Sequence, residues 1–73
     1  MMYQGYTARY EFEEEDRVWH GWVGGIDDVV TFESETLDGL EREFQISVDV
    51  YLEVCAEHGE EPDRPNAAPR QAS

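Results

Sequence analysis

The chain has no lysine, a single cysteine, and no proline before position 62. Five arginines stand against 18 Asp plus Glu, for a net charge of −13 over 73 residues. A field of that sign repels phosphate backbones, so direct nucleic-acid binding is not expected, whereas a basic partner would be steered onto it. The same acidity also fits plain solubility. Cys55 has no second thiol and no Cys/His cluster near it, which excludes a disulfide framework and structural zinc; no cofactor is implied. No apolar run approaches the ~18 residues needed to span a bilayer, and no leader pattern opens the chain. The expectation is a cytoplasmic protein without membrane contact. A chain this short makes one domain and buries only about 60% of its unfolded surface, so self-association, as a dimer or tetramer, is expected.

What is present is a patterned α+β sequence. Between Tyr3 and Glu13, Tyr6, Ala8, Tyr10 and Phe12 alternate with Thr7, Arg9, Glu11 and Glu13, which predicts a half-buried strand. Glu13, Glu14, Glu15, Asp16 and Arg17 are too charged to bury and mark a hairpin tip. A second strand follows from Val18 to about Gly24, with Gly21 placed where something packs closely on the backbone. After Gly24, Gly25 and the turn residues Asp27 and Asp28, the run Val29, Val30, Thr31 starts a third strand that ends near Phe32 or Glu33. Ser34 or Thr36 caps a helix reaching about His58, with Gly59 as its stop signal. Its stripe of Leu37, Leu40, Phe44, Val48, Tyr51, Leu52 and Cys55 faces the sheet. The fold expected is β-β-β-α: a three-stranded antiparallel sheet on one long helix, with room for a short C-terminal strand. Residues 1–64 form the domain, and 65–73 a flexible Pro/Ala-rich tail.

Two surfaces remain unaccounted for by such a core. Ile46, Val50 and Val54 form a second helical row, which reads either as a wide core stripe or as a self-association surface. If the helix covers the sheet face of Tyr10, Phe12, Trp19, Val23, Val30 and Phe32, the opposite face stays open. It then carries Arg9, Glu11, Val18, His20, Trp22, Val29 and Thr31. Trp22 beside Val29, rimmed by acids, suggests a binding patch. Catalysis is the weaker reading of the same stretch. His20 with Asp27 or Asp28 could converge but nothing in the sequence specifies it, and no hydrolase, phosphate-loop, zinc or calcium motif is present. No enzyme activity and no metal site are expected, the aspartates reading as turn formers and Cys55 as a small core residue.

The segments "YQGYTARYEFEEEDRVWHGWVGGIDDVVTFESET" and "LEREFQISVDVYLEVCAEHGEEPDRP" together resemble the N-terminal domain of HicB-type antitoxins of type II toxin–antitoxin systems. The resemblance runs from Tyr3 to about Pro65 and rests most on Gly5, Tyr6 and Thr7, on His20 and Gly21, and on "SVDVYLEVCAEHGEEPDRP". It implies a partial ribonuclease H-like fold without activity of its own, and a partner: a small basic HicA-type toxin that cleaves mRNA. With a toxin as the partner, the residues of the open face and turn, His20, Trp22, Asp27, Asp28 and Val29, become the expected toxin-binding residues, while Ile46, Val50 and Val54 stay the self-association residues on the strength of the helix row alone. Family members commonly continue into a DNA-binding module, but this sequence ends in "NAAPRQAS", so promoter binding is not expected. The alternative is an orphan self-associating relative with neither toxin nor DNA target.

Overall fold

A computed structural model describes residues 1–64; the tail assigned to 65–73 lies outside the described residues. Four antiparallel strands are laid down in sequence order, followed by one helix: β1 (Met2–Tyr3), β2 (Tyr6–Glu13), β3 (Val18–Val23), β4 (Thr31–Ser34) and α1 (Leu37–Glu57). The architecture is thus the expected α+β sheet-and-helix, with one strand more than the sequence pattern gave. The extra strand is N-terminal. After the helix and its stop, residues 60–64 are irregular.

The added strand arises at Gln4 and Gly5, which both take positive φ (55° and 85°) and set Tyr3 opposite Tyr6. A two-residue turn with both centres left-handed matches the twist of paired strands. At the other end of β2, Arg17 also has positive φ (57°), and its N–H donates to the Glu13 carbonyl at 2.7 Å, closing the acidic tip. The register then places Arg9 opposite Trp22, Glu11 opposite His20 and Phe12 opposite Trp19. Across β3, Trp22 faces Thr31 and Gly21 faces Phe32.

The helix begins and ends where side-chain and backbone chemistry require it. Thr36 is extended (φ −126°, ψ 156°), and its hydroxyl accepts the Gly39 N–H at 2.9 Å. At the other end the Gly59 N–H donates to Ala56 and the Glu60 N–H to Cys55, the paired bonds of a Schellman stop that needs the positive φ of Gly59 (69°). Between these caps α1 buries Leu40, Phe44, Val48 and Cys55. It packs chiefly over β4 and next over β3.

The core is Tyr6, Ala8, Val23, Phe32, Leu40, Phe44 and Val48. Phe44 is its centre, fully buried between Phe32 (ring centroids 5.5 Å apart) and the edge-on ring of Tyr3 (6.4 Å). The Phe32 ring rests directly on the backbone of Gly21, occupying the space where a side chain would start. Gly21→Ala should therefore overpack the sheet–helix contact and cost about 1–3 kcal/mol in denaturant unfolding. An unchanged midpoint would show that the Phe32 ring swings aside freely.

Candidate protein-binding surface

The open face of the sheet is built by strand parity. Arg9, Trp22 and Thr31 form one cross-strand row, and Glu11, His20 and Glu33 the next. His20 Nδ1 lies 3.4 Å from Glu33 and Nε2 lies 4.0 Å from Glu13, so the imidazole stands among three glutamates of its own sheet. Trp22 remains 37% exposed above the shallow depression that these rows enclose with Gly21 and Phe32. The Arg9 side chain crosses Gly24, where the missing side chain makes room for it. The result is an indole flanked by Arg9 and Thr31 in its own row, with the carboxylates of Glu11 and Glu33 in the next. It can contribute apolar contact flanked by negative charge.

The five residues expected to touch a toxin do not converge on one patch. His20 and Trp22 share the open face, as the alternation required. Val29 does not join them. It precedes the β4 ladder, so it does not inherit the strand's parity; it is 87% exposed and sits on a separate groove with Ile46, Val50 and Val54. Asp27 and Asp28 lie at the helix side of the same loop. The Asp28 carboxylate accepts the Tyr51 hydroxyl at 2.6 Å, and the Asp27 N–H donates to the Asp63 carboxylate at 3.1 Å. Asp63 in turn gives its N–H to Tyr51 and takes the Tyr6 hydroxyl on its carbonyl, while Arg64 lies over the Tyr6 ring. These contacts tie the segment after the helix back onto the loop. The helix C-terminal half is held by that segment and by Tyr6.

Burial and the Asp28 hydrogen bond both push the Tyr51 phenol far above its ordinary value of 10.0. Burial likewise raises Tyr6. Tyr3 is raised by its hydrogen bond to Asp49. All three phenols thus work as neutral donors at physiological pH.

One surface escaped the sequence reading. Tyr10, Phe12 and Trp19 point to the helix side of the sheet, where they were expected to be covered, yet Tyr10 and Phe12 are 42% and 44% exposed and Trp19 is half-buried. The cause is that α1 lies over β4 and β3, leaving the outer half of β2 without a helix above it. The rings cover one another instead, Trp19 lying 5.1 Å from Phe12 and 6.0 Å from Tyr10. No local pattern carried a signal for this, since it depends on where the helix crosses the sheet.

Among the described residues no group of three or more His, Cys, Asp or Glu side chains is arranged to hold a metal ion. Cys55 is buried with its thiol free. No described helix is long and apolar enough to cross a membrane. No family model, curated protein or solved structure matches the chain.

Proposed function

We propose that this chain is a non-enzymatic, HicB-like antitoxin that neutralises a small basic mRNA ribonuclease of the HicA type in the cytoplasm by covering its RNA-binding surface. The observation that carries the reading is the open sheet face, where Trp22 stands uncovered between Arg9 and Thr31, next to the glutamates around His20. A surface evolved to grip RNA phosphates is basic, and an acidic face with an apolar centre competes for it through charge while the indole supplies contact area. The net charge of −13 extends the attraction beyond the contact. The antiparallel order of the sheet and its single covering helix support the partial ribonuclease H-like assignment that goes with this reading.

The test is whether the protein binds a small basic HicA-type ribonuclease, starting with any encoded beside it, and inhibits its RNA cleavage. Binding should weaken as salt rises, because the attraction is between unlike surface fields. Trp22→Ala should weaken it by a factor of about 30 or more, the effect of losing a central aromatic anchor worth about 2 kcal/mol. Full affinity in that variant would move the contact off the open face. A folded, active basic neighbour that this protein leaves uninhibited would overturn the function.

A further inference from the structure

We infer that the aromatic trough of Tyr10, Phe12 and Trp19, together with the acidic hairpin tip beside it, is a docking surface for an arginine-bearing segment of a basic protein. The trough lies on the helix side of the sheet, opposite the face that carries Trp22, and the inference does not rest on the toxin-binding reading. Two features of separate origin meet there.

The first feature is uncovered aromatic surface. Tyr10 and Phe12 share the parity of the buried Tyr6 and Ala8, so they point to the side that α1 occupies, yet both are exposed. Their rings do not stack flat on the half-buried Trp19. Phe12 is inclined to it by 58° and Tyr10 by 61°. Rings tilted in this way present faces as well as edges to the surface, and an aromatic face, being the negative end of the ring quadrupole, attracts a cation.

The second feature is charge. β2 runs from Phe12 straight into Glu13, Glu14, Glu15 and Asp16, and Arg17 is the one base of the tip. The Arg17 N–H closes the turn on the Glu13 carbonyl, which keeps the four carboxylates crowded. A shallow depression between Phe12, Glu14 and Arg17 brings ring and carboxylate to one place. At the other end of the trough Trp19 pairs with Ser34, and Glu35 follows directly in the chain. The surface is therefore apolar in the middle and negative at its border.

Arginine matches both features with one side chain. Its guanidinium is planar and weakly hydrated, so it stacks on a ring, and its fork of N–H donors reaches a carboxylate at the same time. Lysine brings a compact, strongly hydrated charge that does neither as well. A purely hydrophobic segment would cover the rings but leave the repulsion within the tip unrelieved. A second copy of this chain would bring a further charge of −13 against that tip, and a phosphate backbone is repelled by it.

The sheet holds two tryptophans, one on each side, so their indole N–H signals in a nuclear magnetic resonance spectrum of the full, isotope-labelled chain report the two faces separately. The probe is a short capped peptide of alternating arginine and serine, compared with its lysine–serine counterpart. The arginine peptide should move the Trp19 signal to saturation, bind several-fold tighter than the lysine peptide, and weaken as salt rises. Phe12→Leu keeps an apolar side chain at an exposed position but removes the ring, and should weaken the Trp19 response about 2- to 5-fold. Tyr10→Leu serves as the second variant if that one fails to fold. Replacing both tip glutamates, Glu14→Gln with Glu15→Gln, should weaken it as well. A Trp19 signal that stays still while Trp22 moves would overturn the inference and leave the open-face reading intact. Equal affinity for the two peptides, or full affinity in Phe12→Leu and Tyr10→Leu, would reduce the attraction to net charge and overturn it. So would a Trp19 signal that shifts on dilution but not with peptide, which would give the trough to a second copy.

Discussion

Phe44→Ala is expected to remove from about half to all of the protein's stability at room temperature. Domains of this length have a total stability of about 4–11 kcal/mol, taking ~0.05–0.15 kcal/mol per residue. Truncating a fully buried phenylalanine costs about 3–5 kcal/mol, the sum of lost transfer energy and the cavity left behind. The upper end of that range applies here because the cavity has little chance to collapse. Phe44 contacts rings on both sides, Phe32 from β4 and Tyr3 from β1, and Phe32 is itself held against the Gly21 backbone. None of these can move inward without losing its own contact. Phe44→Leu, which keeps most of the volume, should cost under about 1.5 kcal/mol and remain folded. Circular dichroism during urea unfolding would separate the two. A Phe44→Ala variant with a midpoint near that of the parent would mean that the helix is not anchored at this point.

That anchoring residue was legible in the sequence, and the reason it was legible explains what was not. Helix periodicity and strand alternation are local rules, so Leu40, Phe44 and Val48 were assigned inward by spacing alone, and Thr36 and Gly59 bound the helix because caps are built from adjacent residues. β1 was missed because its only mark is the Gln4-Gly5 turn, a weaker signal than Asn-Gly, and Tyr3 to Glu13 therefore read as one strand. Val29 was misplaced on the open face because parity was carried backwards past the residue where the ladder begins. The exposure of Tyr10 and Phe12 depended on where the helix crosses the sheet, a property of packing that no window of sequence contains. For the candidate site the division is the same: His20 and Trp22 share a face by simple alternation, whereas Asp27 and Asp28 are drawn away by partners 36 and 23 residues distant.

Tyr51 illustrates the last point, and the protein should lose stability steeply as pH rises above about 10. In the apolar stripe it reads as one more core residue, but its hydroxyl both donates to Asp28 and accepts from the Asp63 N–H. Ionisation would place a phenolate next to the Asp28 carboxylate in a partly buried setting, which is why the phenol is held far above its ordinary value, burial being the larger cause. Below pH 10 both the folded and the unfolded chain keep this proton, and the group adds no pH dependence. Above it the unfolded chain releases the proton first, so the folded state binds more protons and stability falls with each further rise in pH. Tyr6, raised by burial, acts in the same direction. Tyr51→Phe keeps the ring packing against Tyr6 but removes both hydrogen bonds, and should cost about 1–3 kcal/mol at pH 7. The same variant should flatten the alkaline limb, since the most strongly raised phenol is gone. Urea midpoints at pH 7 and at several values above pH 10, for both proteins, provide the measurement. An alkaline limb equally steep in Tyr51→Phe would place the pH-sensitive group elsewhere; a variant as stable as the parent at pH 7 would show that the Asp28–Tyr51–Asp63 chain only decorates the loop, without holding it.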